Sequence, residues 1–341
     1  MILNKLKIFL DICKVQKSVN TMILQNSNLK KVDPYILVQI LNKLETVNLE
    51  RSRLSESVII QIFETILKTV KSLNLSGIIM SSIPPDHFVQ VGEKLEHFNF
   101  SHTLLTKEQS TNLLKGIAKS KIMRTLRLAD IKFGLMTLEG DKFGECISKN
   151  TEVIDLSNTQ ISAAALECLM TKIMQFQCMK SLCLSNINLG IFKSNSRMLT
   201  SSLASIPQIK LSGCFADQQE LVETILEEIK IRKKVTKLDI SLNNMSCINE
   251  NLLIETFSSM KKLDLSQTSL SKDQTSALLS SLTQSSELKT LKLNDNDLSH
   301  IEIPILTNLV VNLKVLDLMN TNLVPLQIME LITKGEYYQW Y

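Results

Sequence analysis

Glycine and proline are scarce in this 341-residue chain, at 9 and 6 residues. Glycine-rich phosphate loops, collagen-like periods and loop-rich frameworks all need more of them. Histidine occurs four times, which leaves little material for metal ligation or acid–base chemistry. A strong charge of one sign is also lacking: 38 Lys+Arg face 34 Asp+Glu for a net +4. That surplus is too small to point to nucleic acid or an anionic membrane. None of G-x-S-x-G, H-E-x-x-H, the Walker A loop or G-x-G-x-x-G occurs, which removes the best-specified catalytic motifs. No catalytic, cofactor-binding or metal-ligating residue is assigned, and the chain is not expected to be an enzyme.

Long hydrophobic runs are missing too. No window of about 18 apolar residues is free of charge, so no membrane span is expected. Lys5, Lys7 and Asp11 interrupt the N-terminal apolar stretch, which leaves no signal-peptide core. The cysteines are Cys13, Cys146, Cys168, Cys178, Cys183, Cys214 and Cys247. Their number is odd, their spacing irregular, and no C-x-x-C occurs, which argues against a disulfide framework. Several lie in apolar runs, as small buried hydrophobes of a reducing, cytoplasmic protein would.

What the sequence does contain is repetition. Val153–Ile161 (VIDLSNTQI), Lys237–Met245 (KLDISLNNM) and Lys262–Leu270 (KLDLSQTSL) share the frame L-x-x-L-x-L-x-x-(N/T/C)-x-L. Its first apolar slot recurs at Val19, Leu44, Val70, Leu95, Met123, Thr151, Met179, Ile206, Val235, Met260, Leu288 and Leu313, in steps of 25 to 29 residues. Such a period is the signature of a repeat array. The x-L-x-L core alternates with period two, as a short strand does.

A helix follows in most repeats. Ile59, Ile62, Phe63, Ile66 and Leu67 fall at helical spacing, as do Leu166, Leu169, Met170, Ile173 and Met174. Thr106-x-x-Gln109 and Ser271-x-x-Gln274 read as capping boxes, and Asp33-Pro34 as a cap before a helix-starting proline. Pro207 sits inside the eighth frame and weakens that strand.

On these residues the chain resembles the leucine-rich repeat family, specifically the helix-bearing, ribonuclease-inhibitor-like subclass that also supplies the C-terminal domains of NOD-like receptors. The resemblance implies an α/β solenoid: a horseshoe with parallel strands on the concave face and helices on the convex face. It divides the chain into a capping helix or remnant of an earlier repeat at 1–18, twelve repeats over 19–337, and an edge strand or the start of a thirteenth repeat at 338–341. The asparagine slot departs from the family pattern. Only Asn243 and Asn296 are Asn, and Ile78, Ile131 and Ile187 cannot make the usual hydrogen bonds to the turn.

In this architecture the residue between the two strand anchors faces the concave groove. That column contains Asn48, Asn74 and Asn99, then Arg127, Asp155, Cys183, Lys210, Asp239, Asp264, Lys292 and Asp317. Arg127, Asp155, Lys210, Asp239, Asp264, Lys292 and Asp317 are the candidate protein-binding residues. Lys210 is expected to pair with Asp239, and Lys292 with Asp264 and Asp317, across neighbouring strands. Tyr337, Tyr338, Trp340 and Tyr341 form a candidate aromatic anchor, or alternatively cover the end of the core.

The expected partner is a protein or another domain of the same chain, with no nucleic acid and no cofactor. An innate-immune sensing or autoinhibitory arm is the leading reading. The alternatives are a regulator of a small GTPase resembling the Ran GTPase-activating protein, through Arg51 and Arg53, and an actin-binding protein.

Overall fold

The computed structural model of the chain describes residues 19–131, 147, 149–175, 178–191, 196–216 and 218–334. The capping segment 1–18 and the aromatic residues Tyr337, Tyr338, Trp340 and Tyr341 lie outside them.

Each of the twelve frames carries a three-residue strand, and the chain divides into two compact units, Met1–Met179 and Lys180–Tyr341. The first unit holds β1 (Thr21–Ile23), β2 (Thr46–Asn48), β3 (Ser72–Asn74), β4 (His97–Asn99), β5 (Thr125–Arg127) and β6 (Val153–Asp155). Its described helices are α1 (Pro34–Leu41), α2 (Glu56–Thr65), α3 (His87–Lys94), α4 (Lys107–Lys119) and α5 (Ala163–Gln175). The second unit holds β7 (Ser181–Cys183), β8 (Gln208–Lys210), β9 (Lys237–Asp239), β10 (Lys262–Asp264), β11 (Thr290–Lys292) and β12 (Val315–Asp317). Its described helices are α6 (Ser196–Leu203), α7 (Gln219–Arg232), α8 (Glu250–Phe257), α9 (Lys272–Leu282), α10 (Ile303–Asn312) and α11 (Pro325–Lys334).

Within each unit successive strands pair parallel and in register, so equivalent residues of neighbouring repeats lie side by side. The middle residue of each strand points into the core. Met22, Val47, Leu73, Phe98, Leu126 and Ile154 are buried in the first unit, and Leu182, Ile209, Leu238, Leu263 and Leu291 in the second. Strand and helix layers meet through side chains. In the first unit the Phe100 ring, just after β4, lies 6.1 Å from Phe88 of α3 and 6.4 Å from Phe63 of α2.

The helix starts follow from the sequence chemistry. Asp33 accepts the Tyr35 N–H at 2.9 Å and Pro34 opens α1. Both capping boxes are closed reciprocally, at Thr106/Gln109 and Ser271/Gln274. Ile59, Ile62 and Phe63 are buried on α2, and Leu166, Leu169, Met170 and Ile173 on α5. Met174, expected on the same stripe, is 45 % exposed at the end of α5. Pro207 precedes β8 rather than interrupting it. Its carbonyl still accepts the Thr236 and Lys237 amides from the β9 side, while toward β7 only the Gln208 N–H donates to the Lys180 carbonyl, where other repeats offer two amides.

The asparagine slot works as a staple between repeats. Asn243 Oδ1 accepts the amides of Cys214 and Phe215 at 2.9 and 3.1 Å, while Nδ2 donates to the carbonyls of Leu211, Ile240 and Ser241. Asn296 bonds Thr268 N and the Leu265, Leu293 and Asn294 carbonyls in the same way. The threonines in this slot turn instead onto their own repeat: Thr103, Thr159, Thr268 and Thr321 donate to the carbonyl three residues earlier. Ile78, Ile131 and Ile187 are simply buried.

Candidate functional site

The last residue of each strand faces away from the core, and its chemistry is shared between the turn and the surface. Asn48, Asn74 and Asn99 each accept the backbone N–H two residues on, at 2.9–3.0 Å. Asp155, Asp239 and Asp264 do the same with the amides of Ser157, Ser241 and Ser266, and also accept those serines' hydroxyls at 2.7 Å. This is the Asx turn, in which a short polar side chain replaces a backbone acceptor where the strand ends.

One residue further on, every repeat turns through the left-handed region. The positions are Asn26, Arg51, Gly77, His102, Asp130 and Asn158 in the first unit, and Asn186, Gly213, Leu242, Gln267, Asp295 and Asn320 in the second. The signal was present in the sequence as a column rich in Asn, Asp and Gly, the residues that tolerate positive φ.

These turns place the expected site residues. Arg127 and Asp155 are register neighbours in the first unit, and exposed Arg127 makes no ion pair among the described residues. In the second unit Lys210, Asp239, Asp264, Lys292 and Asp317 form one row across β8–β12. Lys292 closes on Asp264 at 3.4 Å, as expected. Its expected pair with Asp317 is not formed: the Asp317 carboxylate accepts the Asn294 side-chain amide at 2.9 Å instead. The expected Lys210–Asp239 pair is not formed among the described residues either, although the two stand in register.

A shallow depression of about 280 Å³ runs over this row. It is lined by charged and polar side chains of β8–β11, among them Lys210, Lys237, Asp239, Lys262, Asp264 and Lys292.

The position just before each strand was not singled out from the sequence. In the first unit it carries alternating charge: Lys71 lies 3.2 Å from Glu45, and Arg124 lies 2.9 Å from Glu96 and 3.1 Å from Glu152. A second depression, about 350 Å³, opens beside Glu96, Arg124, Glu152 and Cys178. Arg51, expected for a GTPase regulator, lies 3.9 Å from Glu50 and sits in the left-handed turn after β2. His97 bonds Thr125 and His102 bonds Asp130, each at 3.0 Å, as residues of neighbouring repeats. Burial pushes the Cys214 thiol up to about 12, and the thiol donates to the Leu184 carbonyl.

No protein-family model matches the sequence, and no curated protein matches it. Among solved structures, one described as TLR13 in complex with ssRNA13 superposes with a TM-score of 0.50 at 15 % identity. The match covers 90 % of this chain and 43 % of that one, so this chain spans less than half the length of its structural neighbour. That likeness is one of fold: the chain has the leucine-rich repeat architecture, an α/β solenoid of parallel strands alternating with helices.

Proposed function

We infer that this chain is a non-catalytic recognition module that binds a protein through the strand-lined face of its second unit. The observation that carries the reading is the charged row Lys210, Asp239, Asp264, Lys292 and Asp317, held in register across five strands, four of which (β8–β11) border an open depression. Repeat surfaces of this kind present one long face made of one residue from each repeat. Mixed charge on such a face favours specificity and association rate over raw affinity.

The steps of 25–29 residues and the helix in most repeats support the ribonuclease-inhibitor-like subclass within the fold. In that reading the module serves as the sensing or autoinhibitory arm of a cytoplasmic NOD-like innate immune receptor. Its partner is then a protein or another domain of the same chain.

The test is quantitative affinity capture with the full chain, comparing the native sequence with Asp239→Asn/Asp264→Asn. Asparagine keeps the Asx turn, as Asn48, Asn74 and Asn99 show, and removes only the charge. A partner enriched by the native chain and lost from the variant supports the reading. An identical set of captured proteins counts against it.

A further inference from the structure

The position immediately before each strand differs sharply between the two units. In the first it reads Glu45, Lys71, Glu96, Arg124, Glu152, and the ions pair along the edge. In the second it reads Thr236, Lys261, Lys289, Lys314, from β9 to β12, with three lysines on successive strands. The first residue of β9 is Lys237 and that of β10 is Lys262, which stand side by side in the register.

These five lysines form two rows, Lys237 beside Lys262 at the strand starts and Lys261, Lys289 and Lys314 just before β10–β12. Neighbours in each row stand one strand spacing apart, about 4.8 Å, and like charges directly opposite each other are destabilising. Their local compensation is thin. Lys261 reaches Glu287 at 3.7 Å, Lys237 touches the Gln208 amide oxygen at 3.5 Å, and Lys289 donates to the Ser286 carbonyl. The ammonium groups of Lys262 and Lys314 have no partner among the described residues. Lys261, Lys262, Lys289 and Lys314 are all exposed.

We propose that Lys237, Lys261, Lys262, Lys289 and Lys314 form a cationic strip that docks an extended, carboxylate-rich segment of the protein partner. The proposal rests on the strand-face reading above and names the chemistry of what lies there. Charge complementarity argues for an acidic peptide rather than a nucleic acid. Asp239 and Asp264 stand two residues along their strands from Lys237 and Lys262, Asp317 three from Lys314, and they would repel a second line of phosphates. No Phe, Tyr or Trp occurs at the first or last residue of β8–β12 to stack a base. A peptide satisfies both rows, with carboxylates on the lysines and amide or hydroxyl donors toward the aspartates.

The experiment measures binding of a labelled oligoglutamate peptide to the full chain at low and at physiological salt, with oligoglutamine and oligothymidylate as comparison probes. Two variants are read beside the native chain: Lys237→Gln/Lys262→Gln, and Lys289→Gln/Lys314→Gln, whose exposed positions lie outside the strands. Lys107→Gln/Lys115→Gln on α4 removes the same charge elsewhere. The expected result is oligoglutamate binding that weakens with salt and falls at least about fivefold in both strip variants. It is unchanged in the α4 variant.

Equal losses in all three variants, or no oligoglutamate binding at low salt, overturn the proposal. So does tighter binding of oligothymidylate through the same lysines. If capture of a partner depends on Asp239 and Asp264 while oligoglutamate ignores the lysines, the strand-face reading stands and the acidic-segment proposal falls.

Discussion

Asn243 reaches out of its own turn into the preceding repeat and holds the Cys214 amide at 2.9 Å, so one side chain closes the backbone of two repeats. Replacing it with alanine strands buried amides and carbonyls, each costing about 1–3 kcal/mol. Asn243→Ala is expected to lower unfolding stability by about 3 kcal/mol or more, and Asn243→Thr by less, because threonine still reaches the carbonyl three residues back. Chemical denaturation of the two variants checks the order.

Leu242 is the one branched apolar residue among the twelve left-handed turn positions, at φ 58° and 50 % exposed. Its side chain pays for little by packing, while the backbone conformation costs about 1–2 kcal/mol. Leu242→Asn is therefore expected to stabilise by about 0.5–1 kcal/mol, measurable as a rise in melting temperature. A fall would show that Leu242 makes contacts worth more than the strain.

Gly92 of α3 and Gly116 of α4 set the approach of these helices. A Cβ at Gly116 would meet the Val89 carbonyl, and one at Gly92 would meet the Leu113 carbonyl at 2.6 Å. Alanine improves helix propensity by about 1 kcal/mol, but backbone cannot yield as a flexible side chain would. Gly116→Ala is expected to destabilise by about 1–3 kcal/mol net, read by thermal unfolding.

Burial raises the Cys214 thiol from 9.0 to about 12, while Cys247 is exposed. Because the thiolate is the reactive form, Cys247 is expected to be alkylated at pH 8 in the native state and Cys214 only on unfolding. The linkage has a definite sign. The folded state holds the proton more tightly, so this contribution to stability is intact below pH 9 and is lost as the pH rises through about 12. Alkylation mapped by mass spectrometry tests the first point, and denaturation above pH 9 the second.

The repeat frame was legible because buried leucines recur with a period that no other arrangement requires. The strands, the two capping boxes and the Asp33-Pro34 helix start all follow from it. What escaped was the second use of the same residues. Gln274 reads as a capping-box residue, yet its Nε2 also donates to the Met245 and Ile248 carbonyls of the previous repeat, as Gln109 does to Met80 and Ile83. Spacing along one helix carries no information about a bond to the repeat before it.

The outward column faces away from the core, but its aspartates also serve as turn acceptors, and register alone does not decide which charges meet. Lys292 has Asp264 and Asp317 on either side and closes on one of them. Of the lysine strip, Lys237 and Lys262 stand at the strand starts, two residues before the outward aspartates, whereas Lys261, Lys289 and Lys314 lie just before their strands, where the strand pattern marks no position.

The most direct measurement places a photo-crosslinking side chain at Lys210 or Lys292 on the strand face, and at Ile231, 71 % exposed on α7, as the comparison. The account predicts partner adducts from the two strand positions that diminish in Asp239→Asn/Asp264→Asn, and none from position 231. Adducts from α7 alone, or strand-face adducts indifferent to the two aspartates, would contradict it.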